Sequence, residues 1–193
     1  MELLKSAVLK KGKVLSGDVL KVDGFLNHRI DVEMLAEMGK FVHEKFSDCK
    51  VDKILTVEAS GIAFACLTAQ FFCCPVLFAK KSKTTNISDD VYTAPVVSYT
   101  HGTTNNIMVS KEYLSKGENV LVVDDFLARG EAANGLLSLI EQAGANVVGF
   151  VAAIEKGYQG GGDALRARGV KVLSLAVIDS MENGNIVFRP DED

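Results

Sequence analysis

No stretch of this 193-residue chain holds the run of about 20 apolar residues that a membrane-crossing helix requires. The opening residues MELLKSAVLKKGK read as an amphipathic helix, and they lack the long apolar stretch and small-residue cleavage site of a secretory signal. Those two absences give the expectation of a soluble intracellular protein, cytoplasmic and without a membrane partner. Basic charge is short as well. Lys and Arg number 21 against 25 Asp and Glu, and they are interspersed, so no basic stripe is available to follow a nucleic-acid backbone. The three histidines, His28, His43 and His101, have no metal-ligand spacing. The four cysteines, Cys49, Cys66, Cys73 and Cys74, match neither a zinc site nor a redox pair, and are expected as free core thiols in a reducing compartment. Repeats, low-complexity tracts and Pro-, Gly- or Ser-rich linkers are absent, and no nucleophile with an adjacent base stands out.

What the chain does have is apolar content, 48% of its residues. At this length a single domain buries roughly 70% of its unfolded surface, so one domain over 1–193 needs no disulfide or metal staple. Short β-prone runs at 53–57, 75–79, 119–123, 146–154 and 171–176 alternate with helical stretches at 60–72, 132–143 and 162–168. Gly144 is a stop for the second of these helices. Upstream, Asp31 can cap a helix whose Met34, Met38 and Val42 share one face. The alternation predicts an α/β fold with a parallel sheet covered on both faces. Two segments break it. Residues 12–29 precede the core, and the polar segment 80–106, with β-prone Val91-Tyr92 and Val96-Val97 inside it, is read as a lid.

The most informative stretch runs from Val120 to Ala132: an apolar strand, the acids Asp124 and Asp125, then Phe126-Leu127-Ala128-Arg129-Gly130-Glu131-Ala132 leading into a helix. Ligands of open α/β sheets sit at the carboxyl ends of strands, and a helix start offers backbone N–H groups to an anion. Two carboxylates just ahead of it would repel a phosphate but suit the hydroxyls of a sugar that carries one, because ionised acids only accept hydrogen bonds. Two acids after a strand, taken alone, read as a solvated turn; the whole combination does not. A second strand-to-helix loop, Thr56-Val57-Glu58-Ala59-Ser60-Gly61, again offers donors to an anion, although an ordinary helix cap at Ser60 explains it equally. Lys80, Lys81 and Lys83 open the long polar segment; such a cluster is most often a solvated loop, yet between two anion loops it can neutralise a diphosphate.

The stretch around Asp124 resembles the phosphoribosyl-pyrophosphate (PRPP) signature of the type I phosphoribosyltransferases. The resemblance implies that family's fold: a central parallel sheet flanked by helices, a small hood formed mainly by the N-terminal ~30 residues and the C-terminal segment, and a flexible loop. It also implies that Asp124 and Asp125 are the catalytic pair, holding the ribose 2′- and 3′-hydroxyls. Ala128, Arg129, Gly130, Glu131 and Ala132 would cradle the 5′-phosphate, Glu58, Ala59 and Ser60 would form the pyrophosphate loop, and Lys81 would contact the pyrophosphate. Arg129 and Glu131 stand where Thr and Gly are frequent in the family, and Ala132 where a second hydroxyl is frequent. These departures shift phosphate binding towards backbone N–H groups.

Residues 19–31 and Ile154-Glu155-Lys156-Gly157 resemble the xanthine-using branch of that family. This implies that Leu20 and Asn27 contact the base and that Lys156 meets its oxo groups. An amide and an ammonium suit the acceptor edges of such a base, and Leu20 and Phe126 can supply apolar faces. The implied reaction moves 5-phosphoribosyl from PRPP to the purine with Mg2+ held mainly by substrate and water, in a homodimer, with PRPP and a purine base as partners and no nucleic acid. Hypoxanthine–guanine and adenine transferases remain alternatives. A PRPP-sensing regulator would need a DNA-binding module or basic face that the chain lacks, and a flavodoxin-type module leaves the paired acids without a role.

Overall fold

The strands at the centre of the chain are apolar on both faces and must be covered twice, which sets the layers. The computed structural model describes residues 1–16, 18–82, 90–98, 103–182 and 184–190. Along the chain run α1 (Glu2–Lys11), β1 (Lys13–Leu15), β2 (Val19–Lys21), a π-helical turn (Asp23–Asn27), α2 (Val32–Lys45), β3 (Lys53–Val57), α3 (Ile62–Phe72) and β4 (Val76–Ala79). Then follow β5 (Val91–Ser98), β6 (Thr103–Ser110), β7 (Asn119–Leu127), α4 (Glu131–Ala143), β8 (Asn146–Lys156), α5 (Gly161–Ala167), β9 (Val172–Glu182) and β10 (Asn185–Phe188).

The main sheet has six strands in the order β10–β9–β8–β7–β3–β4. All neighbours are parallel except β10, which returns antiparallel on β9. Alternate residues go to opposite faces. Ile54, Leu121, Val123, Val151 and Ala153 pack with Leu35, Met38, Val42 and Phe64 of α2 and α3. Leu55, Val120, Val122, Phe150 and Ala152 pack with Leu136, Leu139 and Ile140 of α4 and with Ala94, Ile107 and Val109 of the β5–β6 hairpin. The expected α/β fold is therefore the observed one. Asp31 caps α2, its carboxylate accepting from the Met34 amide at 3.2 Å, and α4 stops at Gly144 with φ 67°. Among the described residues no helix is long and apolar enough to cross a membrane.

Three expectations change. Most of the described part of 80–106 is an antiparallel hairpin in continuous register from Val91↔Ser110 to Ser98↔Thr103, packed on α4 through buried Ala94 and Ile107. The remainder of the expected lid, 83–89 and 99–102, lies outside the described residues, as does His101. The cysteines are not core residues: all four are free, but Cys66 and Cys73 are exposed and Cys49 and Cys74 only half-buried. Helix phase is the reason. Phe64, Ala65, Thr68 and Ala69 take the inward face of α3, which turns Cys66 outward, and Cys73 sits in the left-handed turn after the helix. Finally, β9 continues past Ala176 and β10 follows it, where strand was expected only to 176.

Phe46 closes the end of α2 with no exposed surface, and its ring lies 2.8 Å from where a Cβ on Gly149 would sit. Truncation there leaves a cavity the close-packed wall cannot fill. Phe46→Ala is expected to cost about 3–5 kcal/mol, read as a lower urea midpoint with an unchanged m value.

Candidate active site

From β3 the chain winds to β4 on one side, and from β7 it winds through β8 to β9 on the other. The crevice between β3 and β7 is thus the topological switch point, where ligands of doubly wound sheets bind. Glu58, Ala59, Ser60 and Gly61 follow β3 there, and Asp124 and Asp125 face it from β7. The two acids lie within the strand and not in the turn after it: β7 runs on to Leu127, pairing Asp124 with Ala152 and Phe126 with Ile154. Extension of the strand holds the acids rigidly, and both are almost fully buried, at 4% and 6% exposure.

Burial, and then the charge of Asp125, push the Asp124 carboxyl well above its ordinary range, and the Lys81 ammonium offsets this only in part. The Asp125 amide donates to Asp124 Oδ1 at 3.0 Å. Asp125 Oδ2 accepts from Asn27 Nδ2 at 2.8 Å. Asn27 therefore reaches the acid pair, with its amide oxygen and one further N–H left for another partner. Behind Asp124, a Cβ on Gly61 would lie 2.7 Å from Asp124 Oδ1 and 2.3 Å from Thr56 Oγ1, so no side chain fits at Gly61. Thr56 Oγ1 is itself buried without a hydrogen-bond partner.

Anion donors flank the pair. Gly130, at φ 88°, turns the chain into α4, and Glu131 and Ala132 begin the helix, whose first-turn N–H groups have no partner within it. No hydroxyl stands among Ala128, Arg129, Gly130, Glu131 and Ala132, so the donors on offer to an anion here are backbone N–H groups and the Arg129 guanidinium. On the β3 side the Glu58–Ala59 peptide is cis. Ser60 does not cap α3, which begins at Ile62 after Gly61. The Lys81 amide donates to Glu58 Oε1 at 2.6 Å, tying the lysine segment to this loop. Lys80 is bridged in both directions to Met108 of β6.

The N-terminal hairpin covers the same end of the sheet. Leu20, on β2, is buried, and the Lys156 ammonium at the end of β8 donates to the Asp18 carbonyl in the β1–β2 turn. The ammonium also lies 6.0 Å from the Phe126 ring centroid. Burial lowers the Lys156 pKa, with Asp18 opposing. Asn27, Phe126 and Lys156 thus gather at the acid pair's end of β7 and β8, with Leu20 buried on the strand that follows the Asp18 turn. Three features were missed. Asp18 left only the turn signal of its Ser-Gly-Asp surroundings. Glu155, buried against Arg166 and Ser174, stood in a quoted motif without a role. Gly161, against the Ala128 carbonyl, left no signal beyond a glycine run.

Among the described residues no three His, Cys, Asp or Glu side chains gather into a metal cage. The oxygen donors on offer are the paired carboxylates, which fit a hard cation such as Mg2+ bound largely through substrate oxygens and water.

The phosphoribosyl transferase domain family matches residues 26–192. A Ruminiclostridium cellulolyticum protein named xanthine phosphoribosyltransferase is 52% identical over 188 residues, covering 97% of this chain and 99% of its own. One of the same name from Clostridioides difficile is 52% identical over 190 residues, covering 98% of this chain and 100% of its own. Among solved structures, adenine phosphoribosyltransferase from Saccharomyces cerevisiae aligns with a TM-score of 0.75 at 21% identity, covering 90% of this chain and 98% of that one. The Giardia lamblia enzyme aligns at 0.76 and 18%, covering 90% and 96%. These likenesses in structure concern the fold.

The raised Asp124 pKa has a consequence for stability. Because the folded value exceeds the unfolded one, near 3.9 for an ordinary Asp, the contribution is fully present below about pH 3.9 and lost as pH rises through the folded value. Asp124→Asn removes that loss. The variant is expected to melt at least ~2 °C above the unaltered protein at neutral pH, the gap closing in acid, by differential scanning fluorimetry across pH.

Proposed function

The chain belongs to the phosphoribosyl transferase family, and we propose that it transfers the 5-phosphoribosyl group of PRPP to xanthine, giving xanthosine 5′-monophosphate and pyrophosphate in purine salvage. The observation that carries this is the buried Asp124–Asp125 pair at the switch point, immediately ahead of the α4 anion site. The choice of base is supported by about half-identical, near full-length relatives named for xanthine, and by the placement of Asn27 on Asp125 and of Lys156 beside Phe126.

In this reading Asp124 and Asp125 accept hydrogen bonds from the ribose 2′- and 3′-hydroxyls. The backbone of Ala128, Arg129, Gly130, Glu131 and Ala132 holds the 5′-phosphate. Glu58, Ala59 and Ser60 line the pyrophosphate side, with the Lys81 ammonium balancing its charge. The bond from ribose C1′ to pyrophosphate breaks, its electron pair leaving with pyrophosphate, and a purine nitrogen forms the new bond to C1′ as the imidazole ring of the base gives up its proton to water. The ribose passes through oxocarbenium character, as in glycoside cleavage. Ionised carboxylates beside the sugar stabilise that positive charge, so the high Asp124 pKa must fall when cationic charge arrives. Bound Mg2+ would supply charge neutralisation on the diphosphate. Lys156 offers a donor to the base oxo groups, Asn27 spans base and acid pair, and Leu20 with Phe126 supplies the apolar wall. The same reading has the protein working in the cytoplasm as a homodimer.

Initial velocities with PRPP and Mg2+ against xanthine, guanine, hypoxanthine and adenine, followed by pyrophosphate release, test this. Xanthine is expected to lead by at least ~100-fold in kcat/KM, because a site built for a polar group rejects a base that lacks it. Preference for another base refutes the base contacts and retains the PRPP chemistry. In the same assay Asp124→Asn combined with Asp125→Asn is expected to lose at least ~100-fold in kcat while remaining folded. Near-normal turnover at saturating PRPP refutes the ribose assignment.

A further inference from the structure

We infer that Gly161, anchored by the ion pair of buried Glu155 with Arg166, is a positioning residue that sets the backbone of the 5′-phosphate loop from behind; this rests on the phosphate role proposed for Ala128 to Ala132. The loop needs such a device because it carries no hydroxyl. Its grip depends on where its N–H groups point, and a displacement of about 1 Å at such a site can cost ~100-fold.

The contact is backbone on backbone. The Gly161 amide donates to the Ala128 carbonyl at 3.0 Å. A Cβ on Gly161 would lie 2.3 Å from that oxygen, 2.7 Å from the Arg129 carbonyl carbon and 2.7 Å from the Gly130 nitrogen. From the other side, a Cβ on Gly130 would meet Gly161 Cα at 3.5 Å. The two segments therefore touch along three loop residues, and only the absence of a side chain at Gly161 permits it.

What holds Gly161 there is a charged clamp. Glu155, 1% exposed, accepts from Arg166 Nη1 at 3.1 Å, Arg166 Nη2 at 2.8 Å and Ser174 Oγ at 2.5 Å. Its carboxylate also lies against the first turn of α5: a Cβ on Gly162 would sit 2.0 Å from Glu155 Oε1. Arg166 thus pins α5 to the end of β8, and Arg168 joins the far end of α5 to α4 through Asn134 Oδ1 at 2.6 Å. The Asn134 backbone N–H in turn donates to the Gly130 carbonyl at 2.8 Å, in the first turn of α4. The brace closes on the loop from both of its flanks, and its anchor is the residue next to Lys156.

The test is steady-state kinetics on Gly161→Ala and on Arg166→Ala, with Arg166→Lys as the conservative variant. Gly169→Ala, a glycine at φ 81° with nothing near its Cβ position, controls for general loss of stability. Gly161→Ala is expected to raise KM for PRPP at least ~10-fold while KM for xanthine moves less than ~3-fold. Arg166→Ala should move KM for PRPP in the same direction, and Arg166→Lys should recover part of it. A folded Gly161→Ala with an unaltered KM for PRPP overturns the inference, as does a parallel rise in both KM values matching Gly169→Ala. Should Gly161→Ala show no cooperative melt, Arg166→Ala decides alone, and an unchanged KM for PRPP there overturns it. If the unaltered protein shows no PRPP-dependent pyrophosphate release, the functional reading falls and takes the inference with it; turnover with both variants normal removes the brace alone.

Discussion

Two carboxylates stand shoulder to shoulder on one strand, each less than a tenth exposed, and everything around them is arranged to tolerate that repulsion. In water they would simply both be charged. Here burial and proximity hold Asp124 towards its neutral form, one neutral donor from Asn27 serves Asp125, and a single ammonium acts from Lys81. Such an arrangement disfavours folding and is sustained by cores on both faces of the sheet. Its use is differential: a pair uncomfortable as charged groups gains most when positive character develops beside it.

The hood takes part in the same electrostatics. The π-helical turn delivers Asn27 to Asp125, and the β1–β2 turn delivers a carbonyl to the Lys156 ammonium. The elements outside the parallel core are thus tied to it through the very groups assigned to sugar and base. On the proposed roles of Asn27 and Lys156, substrate contact and hood placement share donors, which couples the covering hairpin to the chemistry.

Much of this was legible in residue order. The alternation of apolar runs with amphipathic stretches predicted the layers, Asp31 and Gly144 marked helix ends, and the acid pair before Gly130 pointed to the crevice. What escaped did so for physical reasons. The β5–β6 hairpin showed only as two β-prone pairs inside a polar segment; its place is set by apolar contacts of Ala94, Ile107 and Val109 with the α4 layer, a tertiary effect that periodicity cannot register. Cys66 looks like a core residue by type and is placed outside by helix phase. Gly161 and Glu155 matter only because α5 folds back on a loop some thirty positions earlier, and no local pattern encodes that return. The acids themselves were expected just after the strand; the continuing ladder to β8 keeps them within it.

That placement ties assembly to output. Residues 120–123 of β7 alternate between the two cores, and Asp124 and Asp125 continue the same strand without interruption. A slip of one position against β8 would exchange the side chains packed in the two apolar layers and swap the acids between faces at once. No partly correct pairing keeps the reagent while sacrificing the scaffold. On the role proposed for the acid pair, a molecule paired out of register contributes mass and no turnover.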